Sequence, residues 1–241
     1  MDRERRTFLL SAGTIGIAGI ASSASPAWAA DQPKKPEDKK GQPEEEVSAP
    51  EDLMREHGVL NRILLIYEEG LRRMRGKEVM PPSVFHRLAS LVRKFVEDYH
   101  ERLEETFIFP EFEKRGQLIE LVKTLRQQHQ AGRAVTDIVL RLAVPEQFGN
   151  RQSRQELVRA VEAFIRMYRP HEAREDTVLF PALHHIMPAK QLDALGDKFE
   201  QEENRLFGKE GFEKTVDQVA SMEKQLGIYN LGQFTPKLPL K

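Results

Sequence analysis

The sequence predicts an all-α protein, an antiparallel up-down-up-down four-helix bundle built as a duplicated helical hairpin with an extra C-terminal helix. Three observations predict it. The composition is 31% charged and 7% aromatic, and rich in Leu, Glu, Arg and Lys, which favours helices over sheets. Apolar residues recur every three or four positions through four successive blocks. One signature occurs twice: His100-Glu101-Arg102-Leu103-Glu104 running on to Phe109-Pro110, and His171-Glu172-Ala173-Arg174-Glu175 running on to Phe180-Pro181, with a constant offset of 71 (171 − 100, 181 − 110).

The first helix is expected from about Pro50 to Arg75, where Leu53, His57, Leu60, Leu64, Tyr67 and Leu71 share a face and Gly76 ends the run. Pro81-Pro82-Ser83 opens the second, lined by Phe85, Leu88, Leu91, Val92, Phe95, Val96, Tyr99 and Leu103. Pro110 should kink or end it. After the break at Gly116 the third helix, Leu118 to Leu142, carries Leu121, Leu125, His129, Gly132, Val135, Thr136 and Val139 inward. An exposed loop from Ala143 to Ser153 leads to the fourth helix, Arg154 to Pro181, where Pro170 removes a donor just before His171. Residues 51–187 thus form the four-helix bundle. In 188–241 a fifth amphipathic helix, Leu192 to Leu226 with a break near Gly208 and Gly211, precedes an irregular tail.

Residues 1–30 read as an export signal. Arg5-Arg6-Thr7-Phe8-Leu9 precedes a Gly/Ala/Ser-rich stretch and a small-residue cleavage region at Ala29-Ala30, the pattern of a twin-arginine signal rather than a general secretory one. The twin-arginine export machinery is then a partner, and a periplasmic or otherwise exported bacterial location follows. Residues 31–50, Lys, Glu, Asp, Pro and Gln with almost nothing apolar, read as a disordered spacer. No other stretch is apolar over the ~20 residues a spanning helix needs, so no stable membrane insertion of the mature chain is expected. A net charge of −1 without a basic run argues against nucleic acid. The absence of cysteine excludes thiolate zinc and iron–sulfur sites, leaving imidazole and carboxylate as metal donors.

Each copy of the signature has a further histidine upstream, His57 and His129, so that four histidines and two glutamates make a duplicated set: His57, His100, Glu104, His129, His171 and Glu175. A four-residue step turns about 40° past a full circle, so His100 and Glu104, or His171 and Glu175, leave one helix face about a turn apart. Four imidazoles and two carboxylates able to bridge suit two iron ions, completed by oxo or hydroxo bridges or water. Manganese comes second, and zinc, usually four-coordinate, fits less well. Glu101 and Glu172 point about 100° away and read as supporting or solvated residues. His86, His184 and His185 have no counterpart in the other copy and read as surface histidines. The Phe-Pro pairs read as core plugs and kinks.

The order His57, His100-x3-Glu104, His129, His171-x3-Glu175 resembles the hemerythrin-like family with the HHE cation-binding domain, over about residues 51–185. The resemblance implies a non-haem di-iron site in which His57 and His100 serve one iron, His129 and His171 the other, and Glu104 and Glu175 bridge. It departs from the oxygen-carrying members, which place a second histidine where this chain has Arg133. Family members that repair damaged iron centres carry a cysteine-containing N-terminal segment, and this chain has none. The reading that follows is a periplasmic di-iron protein that binds or reacts with a small ligand such as dioxygen, nitric oxide or peroxide, more a metal-binding protein than a dedicated enzyme. The alternatives are a di-iron oxidase or peroxidase, with Tyr67, Tyr99 and Tyr168 available as electron relays, and a metal-dependent sensor or interaction module.

Overall fold

A computed structural model describes residues 47–238, which are all-α with no strand among them. The predicted export signal and nearly all of the predicted spacer lie outside the described residues. Among the described residues no helix is long and apolar enough to cross a membrane.

Helix α1 spans Ala49–Gly76. It starts one residue before the sequence expectation because Glu51 reaches back to accept the Ser48 backbone N–H at 2.9 Å, satisfying a donor that an uncapped first turn would leave open. Ala49 and Pro50 are consequently buried. Lys77, in the left-handed region at φ 57°, closes the helix.

The second helical run holds the main departure from the sequence reading. It begins with α2 (Pro82–Leu91), then alternates between π-helical and α-helical turns: Val92–His100 is π-helical, α3 is Glu101–Leu103, Glu104–Ile108 is again π-helical, and α4 is Phe109–Arg115. Pro110 therefore neither ends nor breaks the run, which continues to Gly116 at φ 64°. A proline inside an α-helix forfeits a hydrogen bond and crowds the carbonyl four residues back. The wider π turn just before it carries the Phe109 N–H back to Glu104 O and leaves Pro110 in the first turn of a fresh helix, where no donor is needed.

The second copy does the same. After α5 (Ile119–Leu142) and the single turn α6 (Pro145–Phe148), α7 (Arg151–Arg174) passes through Pro170 and becomes π-helical over Glu175–Leu179. Then α8 (Phe180–Ile186) begins with Pro181 in its first turn. The predicted exposed loop after Leu142 is thus shorter than expected. Asn150 caps α7 by accepting the N–H groups of Gln152 and Ser153, and Ala143 is buried.

α1 packs on α7, and α5 packs on α2 and α7. Tyr67 of α1 sits in this core edge-on to Phe164, ring centroids 5.6 Å apart, and stacked on Phe85 at 6.0 Å. Burying a side chain of this size contributes about 1.5–3 kcal/mol. The predicted fifth helix is two, α9 (Ala189–Phe207) and α10 (Gly211–Gln225), separated at Gly208 with φ 73°. Both lie on α1, and Arg62 of α1 grips Glu223 of α10 with two bonds at 3.0 and 2.6 Å.

Gly58, exposed in the middle of α1, has open space where a Cβ would stand. Gly58→Ala removes backbone freedom from the unfolded chain at no steric cost, so it is expected to stabilise by about 0.5–1 kcal/mol. Thermal unfolding should record a rise of roughly 1–4 °C; an unchanged or lowered Tm would contradict this account of the helix.

Candidate metal centre

The six side chains singled out in the sequence come together in the interior. His57, His100 and Glu104 form one group and His129, His171 and Glu175 a second, each with ligating atoms within 4.8 Å of one another and all six residues buried. The glutamates link the two groups. Glu104 places Oε1 3.7 Å from His100 Nε2 and Oε2 3.4 Å from His129 Nε2. Glu175 presents a single oxygen, Oε2, at 3.4 Å from His57 Nε2 and 3.1 Å from His171 Nε2. Each carboxylate therefore faces one imidazole of each group.

The imidazoles are held from outside through Nδ1. His57 donates to Asp176 at 2.7 Å, His100 to Glu56 at 2.8 Å, His129 to Glu105 at 3.1 Å and His171 to the Gln128 amide oxygen at 2.9 Å. An Nδ1 proton fixed by an oxygen acceptor leaves the Nε2 lone pair free, and in all four rings Nε2 is the atom turned inward. Phe109 stacks on His129 (5.4 Å, 25°) and Phe180 on His57 (5.7 Å, 21°), so each Phe-Pro pair steadies the first-helix histidine of the other copy.

Glu101 and Glu172 are buried, not solvated. Glu101 accepts the Tyr168 hydroxyl at 2.7 Å and pairs with Arg133 at 2.9 Å; Glu172 is bonded by Asn61. Asn61 and Arg133 each stand four residues after their helix's histidine, so these two contacts are also copies of one another. Burial pushes both carboxyls up to about 8, against the Tyr168 hydrogen bond at Glu101 and against the nearby His57 at Glu172. His86, His184 and His185 are exposed, as their lack of counterparts predicts.

The arrangement fits a cation. None of the four oxygens of Glu104 and Glu175 makes a hydrogen bond, although all are buried. Leaving one such group unsatisfied costs about 1–3 kcal/mol. His129 and His171 also turn their Nε2 atoms toward each other at 3.3 Å, which sets two lone pairs face to face unless a proton or a metal ion stands between. Metal coordination would give partners to both carboxylates and to the opposed nitrogens together.

Without metal the site divides its protons unevenly. Burial and the neighbouring Glu175 push Glu104 well above the ordinary carboxylate range. Glu175, though equally buried, is held well below it by His171 and His57. Burial lowers His100 to about 3 and His129 to about 4, the latter against the pull of Glu105. Burial also opposes charge on His57, yet the hydrogen bond to Asp176 and the facing Glu175 carboxylate raise it well above its usual value.

A group with a raised pKa holds its proton to higher pH and must lose it to coordinate, so loading should release protons from Glu104 and His57, and affinity should rise with pH. Calorimetric titration with a divalent metal at pH 7 in two buffers of different ionisation heat measures that release. Identical heats in both would contradict the assignment.

The sequence reading missed the outer acceptors Glu56, Glu105, Asp176 and Gln128. A signal was present. Asp176 and Glu105 stand in the same place in the two copies, 71 apart (176 − 105), and Glu56 and Gln128 each precede a first-helix histidine.

The hemerythrin HHE cation-binding domain model matches residues 48–183 and again 121–226. The chain belongs to that family, a family of cation-binding helical proteins. Proteins described only as uncharacterized in Mycobacterium bovis and Mycobacterium tuberculosis are 46% identical over 239 residues, covering 96% of this chain and 90% of theirs. No solved structure gives a significant match.

Proposed function

We propose that the chain is a periplasmic non-haem di-iron protein, exported by the twin-arginine route, whose reduced form binds or reacts with a small ligand such as dioxygen, nitric oxide or peroxide. In this reading the helices form an antiparallel up-down-up-down bundle. His57 and His100 hold one ion, His129 and His171 the other, and Glu104 and Glu175 lie across both. The observation that carries it is the convergence of four inward-facing Nε2 atoms on three buried oxygens of Glu104 and Glu175 that make no hydrogen bond.

Iron, when bound there, would supply the one-electron chemistry the reading needs. The protein's own part is to fix the donors, exclude water and hold protons at Glu104 and His57 until metal displaces them. Elemental analysis of the purified mature chain, with absorption between about 300 and 500 nm before and after anaerobic reduction, tests the reading. Two irons per chain with a band that bleaches on reduction are expected. One zinc, or no metal after reconstitution, would sink it.

A second reading, a di-iron oxidase or peroxidase, draws on Tyr168. Its ring lies 5.5 Å from that of His171 and its hydroxyl bonds Glu101. Sustained turnover of hydrogen peroxide or ferrous iron, diminished in Tyr168→Phe, would favour it.

A further inference from the structure

The two halves of the centre match residue for residue except in what stands behind them, and the chain therefore carries its own internal comparison. Glu56 and Gln128 occupy equivalent positions and hold equivalent imidazoles, His100 and His171, at nearly equal distances of 2.8 and 2.9 Å. One acceptor is a carboxylate and the other a neutral amide. Asp176 and Glu105 are equivalent too, but the equality is cancelled by Arg133, which binds Glu105 at 2.8 Å and Glu101 at 2.9 Å. Its counterpart in the other half, Asn61, is uncharged. The pair His57 and His100 is thus backed by two carboxylates, whereas the pair His129 and His171 is backed by an amide and a carboxylate whose charge a guanidinium offsets.

A carboxylate accepting Nδ1–H draws the proton outward and makes Nε2 a stronger donor; an amide does so weakly. The added negative charge also favours a cation, most where water is excluded, and Glu56 is 2% exposed. The coordinating groups themselves do not discriminate, since each pair meets the same two glutamates.

We propose that the two metal positions are unequal. The His57/His100 position fills first and binds its ion more tightly, while the His129/His171 position is the exchangeable one, so that a stable half-loaded protein exists. Gln128 and Arg133 are the positioning residues that set the difference. The inference rests on the two-ion reading above.

Titration of the metal-free full chain with manganese(II) tests it, read by calorimetry and by electron paramagnetic resonance. The first equivalent should give the signal of an isolated ion and the second should convert it to that of a coupled pair, with affinities about 10–100-fold apart. Gln128→Glu gives the weaker half the acceptor of the stronger, and should tighten the second phase and narrow the gap several-fold. Glu56→Gln makes the reverse exchange and should weaken the first phase by about 10–100-fold. Both exchanges are nearly isosteric, and an unchanged helical circular dichroism spectrum shows that a shift is not a folding defect. Equal affinities, all-or-none filling of both positions, or a gap unmoved by Gln128→Glu would overturn the inference while leaving the two-ion reading standing. Fewer than two ions under every condition would overturn that reading, and the inference with it.

Discussion

Glu104→Met is expected to abolish two-metal loading while making the metal-free protein more stable. Glu104 offers a separate oxygen to each half of the centre, Oε1 toward His100 and Oε2 toward His129. Methionine keeps the unbranched shape but contributes no hard donor. In the metal-free state those oxygens are buried without hydrogen bonds, each costing about 1–3 kcal/mol. Replacing them by apolar atoms should raise Tm in chelator by roughly 2–10 °C. The wild type gains about 2.7 kcal/mol from a metal present at a hundred times its Kd, and the variant should gain far less. Thermal unfolding of both proteins in chelator and in metal decides it. A variant that is less stable in chelator, or that still takes up two ions, would show that Glu104 is a structural residue and not a bridge.

That opposition between stability and metal binding also explains how much of the centre was legible in the sequence. A buried, unpaired glutamate is a poor choice for folding, so Glu104 and Glu175 stand out when they recur on a face otherwise lined by Leu, Val and Phe. The helices were legible for the converse reason: Leu53, Leu60, Leu64 and Tyr67, or Leu125 and Val139, must face one core, and only a helical period allows it. What could not be read was contact across helices. Whether Asp176 meets His57 or only solvent depends on the axial offset of the π-helical turn Glu175–Leu179 against α1, and no local spacing encodes that. Nor did the Phe-Pro pairs announce π turns, because the same dipeptide is compatible with a kink. The choice is made by packing, which seats Phe109 on His129 and Phe180 on His57. The offset of 71 extended to Glu105 and Asp176, and the place of Glu56 and Gln128 just before a first-helix histidine, were the marks of the outer acceptors in the sequence.

The other large effect is expected at Gly132, which the sequence marks only as a small residue on the inner face of α5. A Cβ built there would overlap the Tyr168 hydroxyl and stand 2.9 Å from its Cζ, and both residues are buried. The tyrosine cannot yield cheaply, because its hydroxyl donates to Glu101 and its ring packs on Phe164 at 4.3 Å and near His171. Gly132→Ala therefore adds overpacking of about 1–3 kcal/mol to a lost hydrogen bond at a buried carboxylate, about 1–3 more. Helix propensity returns only about 1 kcal/mol. The net loss should lower Tm by roughly 2–20 °C. Because the obstructing atom is the hydroxyl, adding Tyr168→Phe should recover part of the loss instead of deepening it, a coupling that a double-mutant cycle reads directly. The displaced ring would also disturb His171, so Gly132→Ala should weaken metal binding at the His129/His171 position more than at the other. Strictly additive effects of the two substitutions on stability would mean that the glycine is there for some reason other than this hydroxyl.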